Sequence, residues 1–443
     1  MKNDSLNYRK IAEQIFLAGI GSVLPSRLIS SKLVLKDNCL NIGDLSLSLE
    51  TIENIYVIGA GKASAMMGAE VEKILGERIT EGHIVVKYGH SCKLKFIDVT
   101  EAGHPIPDDN SFRATREILK IAELASCNDL VICLLSGGGS SLLSDIPEGC
   151  SSRDLIKVND LMINSGACIS EINVVRKHLS VVKGGQLARV VYPATLVSFI
   201  LSDVPGDPFD VIASGPTVPD PTTFLQALTV LATFGLTRIV PRRILTFLKE
   251  GVSGKRMETP KAGDPVFDKT VNILIGSNRM ALESAKSKAL EFNINAVIID
   301  DQLQGDTSSV VEYLIETATR FKDDENEVKP VCLLFGGETT VKMNGKGVGG
   351  RNQHLALLSA SLLQNNPGIT ILSAGTDGND GPTEAAGAVV DSETISGAIS
   401  KNIDPEKHLS DFDSFHFFKK AGGHIITGPT MTNVMDIIVV IVA

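Results

Sequence analysis

The stretch GGETTVKMNGKGVGGRNQ, residues 336–353, decides the fold class of this chain. It places six glycines around one glutamate, two lysines and one arginine. Glycines let backbone N–H groups approach oxygen atoms closely, and fixed cations neutralise negative charge. A strand-like apolar run over 330–335 precedes the stretch, and a helix-like run over 354–363 follows it. This order predicts an α/β fold in which the stretch binds a polyanion at the end of a strand.

The composition narrows the class of protein. The chain has 443 residues, of which 43% are hydrophobic and 21% are charged, as in soluble proteins of two or three domains. Its net charge of −10 disfavours partners such as nucleic acid or an anionic membrane. Seven cysteines without a CxxC pair predict free thiols, and no apolar run is long enough to span a membrane. We therefore expect a cytoplasmic location.

Strand-like and helix-like runs alternate in two sets, which predicts two α/β domains with largely parallel or mixed sheets. The first set predicts a Rossmann-like N-terminal domain over 1–240. The second predicts a C-terminal α/β domain over 271–443, and the Pro-, Gly- and charge-rich residues 241–270 are the expected junction. Residues 160–190 are predicted to be largely helical, with a basic middle.

The motif GAGKAS, residues 59–64, follows a strand-like run and opens a helix-like run. It departs from a dinucleotide fingerprint because Ser64 replaces the third glycine and the next strand ends at Lys87 rather than at an acidic residue. A tight strand–helix turn explains the motif without any ligand. The functional interpretation is that Lys62 lies at a helix N-terminus, where the helix dipole and the ammonium group both attract anions.

The motif SGGGSS, residues 136–141, is a stronger signal than the first. Three consecutive glycines cost backbone entropy on folding, so a simple turn rarely contains them all. With a helix following, the motif predicts a cradle for a phosphate or carboxylate.

Other loops carry weaker signals. The turn SDVPGD places Asp203 and Asp207 after a strand, where they are candidates for Mg²⁺ ligation or general-base chemistry beside a phosphate donor. The run NVVRKH followed by KGG, residues 173–185, concentrates cations on one predicted helix, and a solvated basic face is the usual explanation of such a run. Hydroxyl- and glycine-rich loops over 375–383 and 428–433 suit nucleotide phosphates.

Taken in order, the motifs resemble the glycerate 2-kinase family, also called the MOFRL glycerate kinase family. The resemblance runs from residue 57 to the C-terminus through GAGKAS, HPIPD, LLSGGGSSLL, NVVRKHLSVVKGGQLA, SDVPGD, ASGPTVPDPTTF, GGETTVKMNGKGVGGRNQ, SAGTDGNDGPTEAAGA and TGPTMTNV. It implies two α/β domains with the active site in the cleft between them. It also implies ATP- and Mg²⁺-dependent phosphorylation of D-glycerate to 2-phosphoglycerate. Two departures are Ser141, where Ala is usual, and Met431, where Gly is usual.

The family's functional lysine falls on Lys62, and its arginine falls on Arg351. We expect both to stabilise the phosphoryl oxygens, with Asp203 orienting Mg²⁺ or accepting the hydroxyl proton. The metal candidates are Asp203, Asp207 and Glu338. The candidate substrate-binding residues are Ser136, Gly137, Gly138, Gly139, Ser140 and Arg176. The candidate nucleotide-binding residues are Gly337, Glu338, Thr339, Lys346, Gly375, Thr376 and Asp377.

Lys342, which we expect on a strand face, ranks below Arg351, and so does Lys346. The expected partners are D-glycerate and ATP, with a homodimer as a candidate assembly and neither nucleic acid nor a membrane as a partner. Three alternatives stay open at this point: phosphorylation of the 3-hydroxyl, an NAD(P)H-dependent hydroxypyruvate reductase, and a non-catalytic sensor of sugar acids or nucleotides.

Overall fold

A computed structural model describes residues 2–341 and 345–443, without the side chains of residues 2–7. Lys342, expected on a strand face, lies outside these residues. The helices of the described residues are α1 (Lys2–Ser22), α2 (Pro25–Lys32), α3 (Ser64–Leu75), α4 (Asp109–Leu124), α5 (Gly139–Leu142), α6 (Ser152–Asn164), α7 (Ile169–His178), α8 (Gln186–Val191), α9 (Phe224–Thr233), α10 (Arg242–Val252), α11 (Asn278–Glu291), α12 (Thr307–Asp323), α13 (Arg351–Leu363), α14 (Thr394–Ser400), α15 (Pro405–Ser410) and α16 (Ser414–Ala421).

The strands confirm an α/β fold. They are β1 (Leu33–Lys36), β2 (Cys39–Ile42), β3 (Leu45–Ser48), β4 (Ile55–Ala60), β5 (Glu81–Lys87), β6 (Asp98–Ala102), β7 (Leu130–Leu135), β8 (Thr195–Leu201), β9 (Thr270–Gly276), β10 (Asn295–Asp306), β11 (Val331–Thr340), β12 (Ile369–Gly375), β13 (Gly387–Asp391), β14 (His424–Ile425) and β15 (Asp436–Val442).

The chain divides into two compact units. One unit contains residues 25–202 and 207–275, and we call it the parallel-sheet unit. The other contains residues 1–24, 203–206 and 276–443, and we call it the mixed-sheet unit. The division differs from the predicted boundaries at 240 and 271, and the reason is packing. Helix α10, inside the predicted junction, buries Ile244, Phe247 and Leu248 in the same cluster as residues of α9.

In the parallel-sheet unit, β6, β5, β4, β7, β8 and β9 lie side by side in that order. The pairs β4–β5, β4–β7, β5–β6 and β7–β8 are parallel. Strands β4 and β7 are buried along their whole length, as parallel strands covered on both faces must be. Because the chain moves outward from β4 in one direction and from β7 in the other, their carboxyl ends form a switch point, where α/β sheets bind ligands.

In the mixed-sheet unit, the strand order is β10, β11, β15, β12, β13 and β14. Only β10 and β11 form a parallel pair among these described strands, and β15 runs antiparallel between β11 and β12. Its first residue, Asp436, therefore lies beside Gly337 near the carboxyl end of β11 and beside Gly375 at the carboxyl end of β12. The sheet packs on α12 and α13, with Phe335, Leu357 and Val440 in the core.

Residues 160–190 are largely helical, as predicted, and form α6, α7 and α8 with turns at 165–168 and 179–185. Two local predictions were wrong. The cations of the run over 173–185 do not lie on one helix, because α7 ends at His178 and Lys183 lies in the turn that follows. Residues Gly336–Thr340 are not a loop, because β11 continues through them. They remain extended since β10 and β15 both provide them with backbone hydrogen-bonding partners.

Candidate active site

The loop after β4, which carries Lys62, is hydrogen-bonded to the loop after the neighbouring strand β7. The Lys62 backbone N–H donates to the Gly137 carbonyl at 2.9 Å, and the Ala63 N–H donates to Ser136 Oγ at 3.0 Å. Ser64 Oγ lies 3.1 Å from Ser136 Oγ. The loops after β4 and β7 are thus joined at the switch point. Ser64, which breaks the dinucleotide fingerprint, is a buried structural contact.

Two glycines allow this close approach. A Cβ at Gly61, whose φ is +141°, would lie 2.1 Å from Ser136 Oγ. A Cβ at Gly138, whose φ is +82°, would lie 2.9 Å from the His104 ring and 3.6 Å from Cγ of Lys62. The Lys62 side chain, the His104 ring and the turn after β7 therefore meet within this unit.

The imidazole of His104 is neutral at physiological pH. Burial, together with the nearby charges of Lys62 and Lys87, lowers its pKa to about 4. A neutral ring beside Lys62 adds no positive charge to the site, and it can both donate and accept a hydrogen bond.

The predicted substrate residues Ser136, Gly137 and Gly138 form the turn between β7 and α5, and Gly139 and Ser140 are the first two residues of α5. The turn differs from the prediction in one respect, because α5 spans four residues only and provides little helix dipole for an anion.

A pocket of about 510 Å³, open to solvent, lies beside this turn. Four serines and four charged residues line it. Arg176, which the sequence proposed as a substrate contact, lines the pocket together with Ser140. The side chains that line it are those of Pro105, Ile106, Pro107, Ser140, Ser141, Ser144, Asp145, Leu155, Ile156, Asn159, Asp160, Ile163, Arg176, Leu179, Ser180 and Lys183.

The basic run over 173–185 is not a solvated face. Lys177 is 3% exposed, and its Nζ lies 3.3 Å from Asp210 and 3.5 Å from Asp220. Asp220 is fully buried, and although burial raises its pKa, Lys177 and the hydroxyl and N–H of Thr222 lower it to a net depression. Lys177 therefore neutralises an internal carboxylate.

The turn SDVPGD follows β8, as expected. Its two aspartates fall in different compact units, Asp203 with the mixed-sheet unit and Asp207 with the parallel-sheet unit. Asp207 has a φ of +56°, a strained backbone conformation that functional turns often contain.

In the mixed-sheet unit, Arg351 is the first residue of α13 and lies between two carboxylates. Its Nε donates to Asp436 Oδ2 at 2.6 Å and its Nη2 to Asp436 Oδ1 at 3.0 Å. Its Nη1 donates to Glu338 Oε1. Burial lowers the pKa of Arg351, but Asp436 and Glu338 outweigh burial and raise it above its usual range. The guanidinium is permanently charged and fixed in direction.

Asp380, which the sequence did not single out, caps the N-terminus of α13. Its carboxylate accepts the backbone N–H of Asn352 at 3.1 Å and that of Gln353 at 2.8 Å. Burial raises its pKa to about 6 against the effect of those N–H groups. The helix N-terminus beside Arg351 is therefore already occupied by a protein carboxylate.

The predicted nucleotide residues of β11 and the loop after it are near Arg351 in the fold. Glu338 contacts Arg351 directly, and Gly337, with a φ of +146°, lies beside Asp436 in the sheet register. The Thr339 hydroxyl is buried without a hydrogen-bonding partner among the described residues. Lys346 is exposed.

The loop after β12 is joined to the segment before β15. Thr376 Oγ1 donates to the Met435 carbonyl at 2.6 Å, and the Thr430 N–H donates to the Asp377 carbonyl at 3.2 Å. Met431 has a φ of +60°, in the left-handed region that favours glycine. Met431 therefore holds a backbone conformation in which a non-glycine residue is strained.

The structure also reports on metal and membrane interactions. Within residues 2–341 and 345–443, no three His, Cys, Asp or Glu side chains are grouped so that they could hold a metal ion. In the same described ranges, every helix is too short or too polar to cross a membrane.

Sequence reasoning missed Asp436, Asp380, Asp145 and Lys183. Asp436 accepts a hydrogen bond from Arg351, and the charges of Asp436 and Asp380 raise its pKa. Asp145 and Lys183 line the pocket. Lys183 was visible as part of a basic run, whereas Asp436 had no local signal other than its place just before the last apolar strand.

Comparison with known proteins gives two family matches and several full-length relatives. Residues 11–249 match the family described as Domain of unknown function (DUF4147), and residues 331–436 match the MOFRL family. D-glycerate 2-kinase of Thermotoga maritima is 40% identical over 442 residues, covering 98% of this chain and 99% of that protein. Glycerate 2-kinase of Pyrococcus horikoshii is 38% identical over 446 residues, covering 99% of this chain and 98% of that protein.

A protein of Agrobacterium vitis that is provisionally named as a hydroxypyruvate reductase is 40% identical over 384 residues, covering 86% of this chain and 85% of that protein. The comparison of folds agrees with the comparison of sequences. A crystal structure of a glycerate kinase from Thermotoga maritima matches with a TM-score of 0.87 and 38% identity, covering 99% of this chain and 100% of that one.

Proposed function

This chain belongs to the glycerate 2-kinase family, and on that premise we propose that it transfers the γ-phosphoryl group of ATP to the 2-hydroxyl of D-glycerate. The products are 2-phospho-D-glycerate and ADP. The similarity to D-glycerate 2-kinase along 98% of the chain carries the proposal. In the reaction, the substrate hydroxyl oxygen bonds to the γ-phosphorus, the bond to the β,γ-bridging oxygen breaks, and the hydroxyl proton goes to a carboxylate.

We propose that Lys62 stabilises the oxygens of the transferring phosphoryl group. Its position at the switch point of the parallel sheet, directly before α3, supports this role. Phosphoryl transfer depends on positioning and charge neutralisation, so removing such a cation raises the barrier by roughly 3 kcal/mol or more.

We propose that Arg351 stabilises negative charge on the nucleotide phosphates. Asp436, whose side chain is 5% exposed, holds the Nε and Nη2 edge of the guanidinium. Glu338, whose side chain is 47% exposed, contacts only Nη1. A phosphate oxygen can replace the exposed Glu338 at Nη1 while Asp436 keeps the guanidinium of Arg351 oriented.

The remaining nucleotide contacts are proposed around Arg351. Gly337, Thr339, Lys346 and the segment Gly375–Asp377 lie on or after β11 and β12, whose carboxyl ends lie on either side of Asp436. The buried and unpartnered Thr339 hydroxyl supports a polar ligand nearby. Glycines at both strand ends let the phosphates approach the backbone.

We propose that D-glycerate binds beside the turn Ser136–Ser140, with Arg176 as a contact to its carboxylate. The pocket there has serine hydroxyls for the substrate hydroxyl groups and a cation for its charge. A pocket of this polarity suits a small hydroxy acid better than a flat aromatic cofactor.

Mg²⁺ is proposed as the metal, and it would neutralise and orient the phosphates of ATP. Magnesium takes oxygen ligands and usually retains water, with one or two protein carboxylates rather than a protein cage. The carboxylates Asp203, Asp207 and Glu338 have suitable donor atoms, and a site of this type needs no group of three. Asp203 is also the proposed acceptor of the hydroxyl proton.

The test is ³¹P NMR of the product formed from ATP and D-glycerate by the full chain. A 2-phosphoglycerate signal is expected. A 3-phosphoglycerate signal would overturn the position of transfer, and the lack of any product would overturn the kinase. Lys62→Met and Arg351→Met are then assayed for ADP release, and turnover like that of the wild type removes the corresponding role.

The reductase alternative is tested separately by NADH absorbance with hydroxypyruvate. Ser64 and Lys87 count against it, because the first replaces a fingerprint glycine and the second stands where an acidic residue would bind the ribose. No loss of absorbance is expected. A sensor without catalysis is distinguished by the product signal itself.

We also propose that the protein works in the cytoplasm, since all seven of its cysteines are free. A homodimer stays a candidate assembly, to be tested by light scattering.

A further inference from the structure

Two buried lysines of one short segment have different partners. Lys177 is 3% exposed and lies close to Asp210 and Asp220. Lys183 is 5% exposed, and its Nζ donates to the Leu143 carbonyl at 2.6 Å. Among the residues that the structure describes, no carboxylate lies within salt-bridge distance of Lys183. A single neutral carbonyl does not offset the burial of a charge, so Lys183 is a buried cation without a carboxylate in direct contact.

Arg176 lines the same pocket and is also without a carboxylate partner in the described part of the chain. Its Nε donates to Asn159 Oδ1 at 3.1 Å. Burial lowers the pKa of Arg176, and burial lowers that of Lys183 to about 8. Asp145 opposes the shift of Lys183, whereas Arg176 adds to it. The positive charge of each residue therefore disfavours the protonated form of the other in this pocket.

The third buried charge is Asp145, and its oxygens are already engaged. The Ser180 hydroxyl donates to Oδ1, and the Val181 N–H donates to Oδ2 at 2.7 Å. Burial raises the pKa of Asp145 against the effect of Lys183 and of these hydrogen bonds, so its carboxyl group contributes at most one negative charge. The two cations therefore leave an excess of at least one positive charge. Asp160 also lines the pocket, but it is exposed to water, which screens its charge. The pocket is thus complementary to one monoanionic group.

We propose that Lys183, together with Arg176, binds the carboxylate of a small hydroxy acid in this pocket, and that Asp145 is the residue that positions Lys183. The inference rests on the proposed function for the identity of that acid as D-glycerate. The serine hydroxyls that line the pocket are suitable partners for its hydroxyl groups. Lys177, which has protein carboxylates beside it, has no such role.

The positioning role of Asp145 follows from the turn that carries Lys183. Ser180 Oγ donates to Asp145 and accepts the N–H groups of Val182 and Lys183, each at 3.1 Å. Asp145 thus orients the Ser180 hydroxyl, which accepts the two backbone N–H groups of the turn. Removing its charge also removes the attraction that keeps Lys183 protonated, so the pKa of Lys183 falls further.

The test is isothermal titration calorimetry of D-glycerate with the full chain in the absence of ATP. Lys183→Met is expected to weaken binding roughly 10- to 100-fold, the range for losing a hydrogen bond to a charged group. Lys157→Met is the matched control, because Lys157 is an exposed lysine of α6, which borders the pocket, and does not line it. Its affinity should stay within about twofold of the wild type. Glycerol, which lacks the carboxylate, should not bind.

A second measurement needs only the wild-type chain. Near pH 8.5 Lys183 is mostly neutral, so binding of the carboxylate should take up roughly 0.7 proton, measured in buffers of different ionisation enthalpy. At about pH 6.5 the uptake should vanish, because a lysine with this pKa is already protonated. Uptake that grows towards low pH would instead come from Asp145 and would overturn the assignment. Lack of uptake at the higher pH would overturn it too, even if Lys183→Met does not fold.

Asp145→Asn tests the positioning role by a pH profile. The pH at which D-glycerate affinity falls should move below that of the wild type, because Lys183 loses its neighbouring negative charge. An unchanged profile refutes the role of Asp145. A wild type that binds D-glycerate without phosphorylating it removes the kinase and leaves this inference intact. Wild-type turnover with an unchanged Michaelis constant in Lys183→Met removes the inference and leaves the kinase, and a wild type without D-glycerate binding removes both.

Discussion

Replacement of Asp436 by Asn should misorient Arg351 without removing it. Asp436 accepts hydrogen bonds from Nε and Nη2 of Arg351 at 2.6 and 3.0 Å. An asparagine keeps one acceptor but turns an N–H₂ group towards the second N–H donor. The variant therefore loses one charge-assisted hydrogen bond and gains a repulsive contact between donors.

The size of the effect follows from what remains. Breaking a fully buried ion pair costs about 3–5 kcal/mol. Here the Arg351 side chain is 32% exposed and keeps Glu338, so water and a second carboxylate solvate its charge. We therefore expect the smaller loss typical of a hydrogen bond to a charged group, roughly 1.5–3 kcal/mol in the free energy of unfolding. At about 2–4 °C per kcal/mol for a unit of this size, Tm falls by about 3–12 °C.

Activity should fall more steeply than stability suggests. A displacement of the guanidinium by about 1 Å lowers kcat roughly 10- to 100-fold if Arg351 acts on the phosphates. The assay is ADP release at saturating ATP and D-glycerate, with Tm from calorimetry. Glu338→Gln is the control, and it should change the free energy of unfolding by less than about 1 kcal/mol because Glu338 is exposed. A Tm within about 1 °C of the wild type and an unchanged kcat for Asp436→Asn would refute the orienting role.

Three further outcomes are expected. Gly61→Ala should lower the free energy of unfolding by roughly 3 kcal/mol or more, because the added Cβ would lie 2.1 Å from a serine oxygen. Gly76→Ala is the control, since its Cβ would have no atom within 4 Å and should cost only about 1 kcal/mol of backbone strain. Calorimetry compares the two variants. Lys177→Met should cost about 3–5 kcal/mol, since it leaves a buried carboxylate without its cation, and a Tm near that of the wild type would contradict the pairing. His104 has a pKa near 4 in the folded chain, so the unfolded chain takes up the proton first and the free energy of unfolding falls as pH decreases from about 6.5 to 4. His104→Gln should remove up to about 3 kcal/mol of that decrease. An unchanged acid transition would contradict the neutral ring.

The parts of the fold that sequence predicted well are those with local causes. The continuous apolar run Leu130–Leu135 matches β7 at both ends, because a strand buried on both faces must be apolar throughout. The catalytic candidates Lys62 and Arg351 were predicted from their family resemblance and their glycine-rich settings, and their catalytic roles stay predictions.

The parts that sequence missed depend on distant partners. Residues 336–340 were interpreted as part of a loop, yet they form the end of β11 and pair with the end of β10. Each provides the backbone partner of the other, as in the pairs Leu303–Gly337 and Asp306–Thr340. Local propensity is a weak guide to strands because cross-strand partners contribute much of their stability. The division between the compact units lies at residues 275 and 276 rather than at 270 and 271, since β9 joins the sheet of the preceding unit.

The basic run over 173–185 shows why charge in a sequence does not reveal its use. Lys177 and Lys183 are the same residue type, lie six positions apart in the numbering and are both buried. Folding gives Lys177 carboxylates from residues 210 and 220, while the described residues leave Lys183 with a backbone carbonyl. A cation that is paired with carboxylates inside the protein stabilises the fold, whereas a buried cation without a carboxylate in direct contact raises the free energy of the unliganded protein. Binding an anion lowers that free energy again, so the pairing of each lysine, rather than its presence in the sequence, separates a structural cation from one that binds substrate.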